Sequence, residues 1–311
     1  MASDNIRSVT YKNLGWDSAG DLYLPPDFDE SNKYAAIVST HPIGSCKEQT
    51  SGNIYASALA REGFVVLAFD ASFQGSSGGS PRFIEDPSIR TSDIRFAIDY
   101  LVTLPFVDEN RIGAIGVCGG GGYTIHAGIT DHRIKALTSI TGVNFGRLIR
   151  EGFSQFDPVA ALEKMGVQRT VEAKGAERNV MNYLPPSVEQ AKKNGITDID
   201  MLEATDYYKT PRGQKPHGAT SALFSFNSGA MGWDAFLHAE VLLTQPILIV
   251  IGDKPGGFGA YRDGWEIYSR AASKDKQILV AEGFSHYDLY DQPKPVALAL
   301  ERAVPFFKEK L

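Results

Sequence analysis

Residues 111–123 read RIGAIGVCGGGGY, and this stretch decides the fold. An apolar run short enough to be one buried strand ends at Gly116, and four glycines after Cys118 open a helix-forming segment. A nucleophile on such a strand-to-helix turn has a strained backbone, so the residues two before and two after it must lack side chains. Gly116 and Gly120 hold those positions. The pattern predicts a nucleophile elbow, G-x-C-x-G, with cysteine where serine is usual.

The cysteine itself indicates thiol chemistry. Cys118 is expected at a helix N-terminus, where the positive end of the helix dipole favours the thiolate, the attacking form. A merely buried cysteine would not need glycine on both sides. Dinucleotide binding is disfavoured because the run has no G-x-G-x-x-G match and lies in the middle of the chain's alternating pattern.

The composition limits the class of partner. The chain has 311 residues, of which 43% are hydrophobic, and a net charge of -6, which argues against nucleic acid and anionic membranes. The first residues lack the apolar core of a secretory signal, and no stretch has membrane-spanning length, so we expect a cytoplasmic protein. The only cysteines, Cys46 and Cys118, have neither metal-ligand nor C-x-x-C spacing. We expect a small-molecule partner, no cofactor and no metal, and we leave a homodimer open.

Strands that are apolar on both faces alternate with helices along most of the chain. An antiparallel hairpin is predicted over residues 9–24. Besides the elbow strand, we predict strands at residues 35–38, 64–69, 134–141, 246–251 and 277–280, and helices at 49–61, 86–104 and 296–310. This alternation predicts an α/β fold with a mostly parallel, doubly wound sheet and helices on both faces.

The alternation fails for roughly a hundred residues, far longer than an ordinary connection. Residues 142–244 are therefore predicted to be an insertion, with residues 1–141 and 245–311 forming the core. Helical pieces are expected at 158–173, 187–194 and 199–208. We expect the insertion to cap the carboxyl edge of the sheet, where sites in such folds lie. Several of its aromatic residues, among them Phe145, Phe226 and Trp233, are candidates for lining a substrate pocket.

A base and an oxyanion hole can be assigned by position. His286 follows the last predicted strand by a short loop, the place of the base in the chain order nucleophile, acid, histidine. His41 and Ile43 follow the third strand, where this fold donates one oxyanion amide. We expect the amides of Ile43 and Gly119 to bind the oxyanion, and His41 to contact substrate.

The acid that orients His286 has three candidates. Asp253 lies two residues beyond the strand that ends at Ile251 and is the first choice. Asp263 follows a glycine-rich excursion that could fold back, and Asn144 could act as a neutral orienting group.

With these residues in place, the chain resembles the α/β-hydrolase superfamily, in particular the branch similar to dienelactone hydrolases, which carry G-x-C-x-G-G and a Cys-His-Asp triad. His41-Pro42, residues 70–79, the elbow and Ser285-His286 also look like capped members, including polyketide-transferase-type acyltransferases. Pro255 departs from this pattern, because many relatives have an aspartate there, and so does the long insertion.

The resemblance implies an acyl-transfer enzyme with a triad of Cys118, His286 and Asp253. The first hypothesis is hydrolysis of a small or medium ester, lactone or thioester. Alternatives are an acyltransferase, a ligand-binding protein without turnover, and a thiol-dependent lyase or isomerase.

Overall fold

An eight-stranded sheet organises the chain, whose computed structural model describes residues 5–152 and 157–311. The strands of this sheet and of a separate two-stranded sheet are β1 (Asn5–Lys12), β2 (Asp17–Leu24), β3 (Tyr34–Thr40), β4 (Val65–Phe69), β5 (Val107–Val117), β6 (Ile134–Ile140), β7 (Val180–Asn182), β8 (Ser221–Leu223), β9 (Ile247–Lys254) and β10 (Lys276–Ser285). The order across the large sheet is β1-β2-β4-β3-β5-β6-β9-β10. β2 pairs antiparallel with β1 and with β4, and the remaining pairs are parallel, which confirms the predicted sheet.

Helices cover both faces of the large sheet. They are α1 (Ser57–Arg61), which continues a π-helical turn at Thr50–Ala56, α2 (Pro87–Leu101), α3 (Gly119–Thr130), α4 (Phe145–Glu151), α5 (Pro158–Ala173), α6 (Val188–Lys193), α7 (Ile199–Lys209), α8 (Ser228–Met231), α9 (Ala239–Leu242), α10 (Ala260–Arg270), α11 (Asp288–Asp291) and α12 (Pro293–Lys310). Neighbouring residues of β3 show the two faces. Val38 belongs to the apolar cluster that contains α2 and α3, whereas Ile37 belongs to the cluster that contains α1 and α12.

Local signals set several of the helix boundaries. The side chain of Asp86 caps α2 by accepting hydrogen bonds from the amides of Ser88 and Ile89 at 2.8 and 3.1 Å. Pro87 holds the first helical position, where its missing amide proton is not needed. Such a cap contributes about 1 kcal/mol to helix stability, so the predicted helix start is explained by this short motif.

The insertion of residues 142–244 contains helices at the predicted places. α5 and α7 begin at the predicted residues, and α6 lies within the predicted stretch. Two further aromatic candidates, Phe153 and Phe156, lie outside the described residues. Side chains of α7, including Tyr208, pack in the same cluster as Val117 and Cys118 of the elbow. The division into core and cap stays a prediction, because this insertion helix and the sheet share one core.

None of the helices described combines the length and the apolar character needed to cross a membrane.

Candidate active site

The elbow has the backbone geometry that its glycines predict. Cys118 precedes α3 with φ 55° and ψ -126°, a strained conformation for a residue with a side chain. Its amide donates to the Ile140 carbonyl at 3.0 Å. A Cβ atom at Gly116 would lie 2.2 Å from the Gly120 carbonyl oxygen, and one at Gly120 would lie 2.4 Å from that of Thr40. The chain can therefore make this turn only with glycine at both positions.

The Cys118 thiol is buried among tyrosines. It is 6% exposed and shares a cluster with Tyr208, Tyr287 and Tyr290. Burial raises the thiol pKa to about 12, although the Tyr290 hydroxyl and the Gly119 amide act to lower it. Desolvation acts against the thiolate and is the largest effect on this pKa, so the expectation that the helix N-terminus favours the thiolate stays a prediction. The resting thiol is neutral, and a base must remove its proton before attack.

His286, the predicted base, lies directly after β10. Its ring packs against Tyr287, Tyr290 and Phe258, with centroid distances of 4.9, 5.5 and 5.6 Å. Burial lowers the imidazole pKa to about 3, so the ring is neutral and can accept a proton. Neither ring nitrogen has a hydrogen-bond partner among the described residues.

Tyr290 links the thiol to the imidazole. Its ring packs on His286, and its hydroxyl is near enough to perturb the Cys118 thiol. That hydroxyl forms no hydrogen bond of ordinary geometry with any residue that the structure describes. Cys118 and His286 thus pack on the same tyrosines at the carboxyl edge of the sheet, and their pairing as nucleophile and base stays a prediction.

The predicted oxyanion loop contacts the elbow. A Cβ atom on Gly119 would lie 2.5 Å from Cδ1 of Ile43, so the two residues touch. Within the described ranges, the Ile43 amide donates no hydrogen bond. This leaves the amide available to an oxyanion, and its role there stays a prediction.

His41 is held by its own loop. One ring nitrogen contacts the Pro42 carbonyl at 2.6 Å, and the other accepts the amide of Ala71 at 3.0 Å. Burial, together with the adjacent Arg90 guanidinium, holds the pKa of this imidazole well below its usual range. Since both nitrogens are engaged, the ring fixes the loop, and a contact between His41 and substrate stays a prediction.

Three of the aromatic pocket candidates, Phe145, Phe226 and Trp233, pack away from the thiol's cluster, whereas Tyr207 and Tyr208 belong to it. Phe145 is buried with α2 and α3, and Trp233 packs against that cluster, its ring 5.4 Å from the Tyr123 ring. Phe226 lies under the Arg169 guanidinium, 4.9 Å from the ring centroid, and packs on a third, small cluster. Their contact with a substrate stays a prediction.

The structure does not join the first-choice acid to His286. Asp253 is exposed at the end of β9, and its Oδ1 accepts the Gly283 amide at 2.6 Å. Asp263 is fully buried, but its carboxylate receives two hydrogen bonds from Arg147 at 2.6 and 2.7 Å.

Asn144 is also engaged elsewhere. Its Nδ2 donates to Asp234 at 2.8 Å, and its Oδ1 accepts the amide of Ala235 at 3.2 Å. In this structure, therefore, none of the three sequence candidates for the acid is hydrogen-bonded to the base.

One carboxylate near the site escaped the sequence analysis. Asp200, the second residue of α7, is 1% exposed, and its Oδ1 has no partner within the described ranges. Burial raises its pKa to about 7, and repulsion from Asp198 and Glu203 adds to the shift. Two acidic residues at a helix start usually indicate only a cap and a favourable dipole, so the sequence pattern did not single out Asp200.

Among the described residues, one group of side chains has the spacing of metal ligands. Ligand atoms of Glu48, Asp70 and His217 lie within 4.8 Å of one another. However, the Lys47 ammonium lies 2.6 Å from the Glu48 carboxylate, and the Asp70 carboxylate accepts the amides of Lys47 and Ser76. These contacts satisfy much of the charge of the group without an ion.

A mostly parallel sheet with a strained elbow after its central strand and a histidine after its last strand defines an α/β hydrolase. The family described as BAAT / Acyl-CoA thioester hydrolase C terminal matches residues 95–204, which contain the elbow. Protein YcjY of Escherichia coli (strain K12) is 42% identical over 315 residues, covering 100% of each chain. The crystal structure of PA2218 from Pseudomonas aeruginosa is 32% identical, covers 100% of this chain and 95% of its own, and has a TM-score of 0.88. The chain belongs to the α/β-hydrolase family that includes YcjY and PA2218.

Fungal proteins are similar over most of the chain. Thiohydrolase aneE of Aspergillus aculeatus is 31% identical over 82% of this chain and 80% of its own. Polyketide transferase claH of Penicillium crustosum is 29% identical over 90% of this chain and 89% of its own. The crystal structure of α/β hydrolase GrgF from Penicillium sp. sh18 has a TM-score of 0.79 at 19% identity, covering 98% of both chains, and supports the fold alone.

Proposed function

We propose that this α/β hydrolase is a cysteine-dependent acyl-transfer enzyme. The first candidate for its reaction is the hydrolysis of a thioester, ester or lactone. The observation that carries the proposal is the strained, buried Cys118 in one cluster with Tyr290, on which His286 packs. The imidazole is neutral and has no hydrogen-bond partner among the residues that the structure describes. Strain and unpaired buried polar groups are each unfavourable, so their coincidence at an elbow favours a catalytic role.

The neutral pair dictates the order of proton transfers. His286 takes the thiol proton as the Cys118 sulfur attacks the carbonyl carbon, and the carbonyl oxygen becomes an oxyanion. The amides of Ile43 and Gly119 stabilise that oxyanion. When the carbonyl re-forms, the bond to the leaving thiolate or alkoxide breaks, and the imidazolium protonates the leaving group. Water, deprotonated by His286, then attacks the thioester that links the acyl group to Cys118, and the acid and the free thiol are released.

Thioesters are the first choice among the acyl substrates. The family match is described as an acyl-CoA thioester hydrolase, and one relative is called a thiohydrolase. A thiolate is also a better leaving group than an alkoxide, because the thiolate is the weaker base. The similarity to dienelactone hydrolases keeps lactones among the candidates.

Transfer to an acceptor other than water is the second candidate. Similarity to a polyketide transferase supports it, and so does the burial of Cys118, since a site closed to water protects an acyl-enzyme. A protein that binds a ligand without turnover is the third candidate.

The test is turnover of a panel of acyl thioesters, aryl esters and lactones by the wild type and by Cys118→Ala. We expect hydrolysis of at least one thioester, a fall of about a thousandfold or more in Cys118→Ala, and an acyl adduct on the Cys118 peptide by mass spectrometry. Cys46→Ala is the matched control, because Cys46 is buried beside Gln49 with a raised thiol pKa. Full activity of Cys118→Ala would reject the nucleophile, and a folded wild type inactive on the whole panel would favour a binding protein.

A further inference from the structure

The loop between β9 and α10 binds a carboxylate that belongs to another segment of the chain. In the α/β-hydrolase order of nucleophile, acid and histidine, the acid follows the strand that here is β9. This loop has Pro255, Gly256, Gly257 and Phe258 beyond Asp253 and Lys254. Its Phe258 amide instead donates to Oδ2 of Asp200, from α7 of the insertion, at 2.9 Å.

Gly256 makes room for that carboxylate. A Cβ atom at Gly256 would lie 2.3 Å from Cγ and 2.5 Å from both carboxylate oxygens of Asp200. Any side chain at this position would collide with the carboxyl group. The loop therefore surrounds Asp200 at the edge of the sheet where an acid belongs.

The described residues around Asp200 leave part of its carboxylate without a hydrogen bond. Buried carboxylates are normally paired with a cation or several donors, yet Oδ1 of Asp200 has no partner in the part of the chain that the structure describes. Glu203, the acid one turn further along α7, differs because its carboxylate binds the Ser285 hydroxyl at 2.5 Å.

Phe258 connects Asp200 to the base. Its amide binds the Asp200 carboxylate, and its ring packs edge-on against the His286 ring. The charge of Asp200 also acts on the Cys118 thiol and on Tyr287, the neighbour of the base. A carboxylate oxygen and an imidazole, neither with a hydrogen-bond partner in the described ranges, thus lie in one buried region with the thiol.

We propose that Asp200 is the positioning carboxylate of His286 and that the insertion, not the β9 loop, supplies the acid of the triad. Asp200 accepts the imidazole N–H, selects the tautomer whose other nitrogen faces the thiol, and stabilises the imidazolium that forms when His286 takes the Cys118 proton. The proton stays on the imidazole. This inference rests on the proposed function, and it differs from the sequence assignment of Asp253.

The first test compares kcat/KM for an acyl thioester in three variants. Asp200→Asn should fall about 100-fold, less than the drop known for a serine triad because a thiol loses its proton more easily. Asp198→Asn is the matched control, since Asp198 accepts the neighbouring Gly257 amide at 2.7 Å and caps α7, and asparagine caps equally well. It should stay within about threefold of the wild type. Asp253→Asn is the rival, and a large loss there with an active Asp200→Asn would overturn the proposal.

The pH profile separates positioning from a packing defect. Activity of the wild type should rise with pH as Asp200 ionises near pH 7, because only the charged carboxylate stabilises the imidazolium that forms on His286. Asp198 and Glu203, from the same segment, raise the pKa of Asp200, and the Phe258 amide lowers it. From other elements, Cys118 and Tyr287 are the titratable groups on which the charge of Asp200 acts. The rise should disappear in Asp200→Asn and persist in Asp198→Asn. Gly256→Ala displaces the carboxyl group without removing it, so this variant should also lose the rise in activity with pH. An unchanged rise in both Asp200→Asn and Gly256→Ala would reject the proposal.

Nitrogen NMR of His286 gives a readout that does not need turnover. With uniform ¹⁵N-histidine labelling and His286→Gln for assignment, Asp200→Asn should change the tautomer or the protonation of His286, and Asp198→Asn should not. If no substrate is turned over but this coupling is seen, the pairing stands and the proposed function fails. If thioesters are hydrolysed but neither kcat/KM nor the His286 signal responds to Asp200→Asn, the proposed function stands and the pairing fails.

Discussion

Asp263 and Asp200 are both buried carboxylates beside the segment that follows β9, and they differ in how they are paired. Asp263 is completely buried and receives two hydrogen bonds from Arg147 and one from the Asn144 amide. Asp200 is 1% exposed and receives one backbone hydrogen bond. Burial raises the pKa of each, but among the described residues only Asp263 has a cation against it. A fully paired buried charge holds elements together, whereas an underpaired one is tolerated where chemistry needs it.

The largest effect on stability is expected at the paired carboxylate. Asp263→Asn leaves the Arg147 guanidinium buried with a weaker acceptor, and breaking a buried pair by removing one partner destabilises by about 3 kcal/mol or more. Urea unfolding should show this loss. A double variant with Arg147→Met should recover part of it, and a loss of less than about 1 kcal/mol in Asp263→Asn would mean that the pair contributes little.

At Asp200, the carboxylate with fewer hydrogen bonds, we expect substitution to raise the stability of the protein. The pKa of Asp200 is about 7 in the folded protein against an ordinary value of 3.8. Between these values the folded state binds a proton that the unfolded state has lost, so stability falls as pH rises through this window and the full loss is present above pH 7. Asp200→Asn cannot ionise, and it should be more stable than the wild type at about pH 8 by on the order of 2 kcal/mol, with little difference at about pH 4. Urea midpoints at both pH values test this, and a less stable variant at pH 8 would indicate a hidden partner for the carboxylate.

Gly256→Ala sharpens the comparison, because the added methyl group meets the Asp200 carboxyl group first. We expect a loss of about 1 to 2 kcal/mol from overpacking. Gly232→Ala is the control, since nothing lies within 4 Å of a Cβ atom there, and it should change stability by less than about 0.5 kcal/mol. Equal losses in the two variants, measured by urea unfolding, would show that the contact with Asp200 does not matter.

The smallest effect on stability is expected at Asp253, which is exposed. Asp253→Asn keeps an acceptor for the Gly283 amide, so unfolding should change by about 0.5 kcal/mol or less. A loss of more than about 2 kcal/mol in the free energy of unfolding would show that the fold depends on Asp253 as it does on Asp263.

The sequence predicts the fold and the elbow well because both depend on short patterns. The apolar strands, the Asp86-Pro87 helix start and the glycines around Cys118 each fix structure within a few residues. His286 is found by its order in the chain, which the fold class dictates.

The sequence could not reveal features that depend on distant packing. Whether Asp200 is a cap residue or a site residue is decided by α7 docking on the glycines of a loop far along the chain. The raised pKa of the Cys118 thiol likewise comes from burial, which depends on distant segments such as α7 packing in the same cluster. For the same reason, the sequence offered Phe145 and Trp233 as candidates for lining a pocket, but it could not show in which apolar cluster each side chain packs.

The shared core around Cys118 has a consequence for unfolding. Val117 of β5 and Ala204 and Tyr208 of α7 bury the same apolar surface, so opening α7 exposes the elbow strand. Two segments that bury one surface lose it together, which makes their opening cooperative. Amide protons of α7 should therefore exchange with solvent at a free energy close to that of β5. A shortened chain without the insertion would leave the end of β5 uncovered and prone to association with other chains.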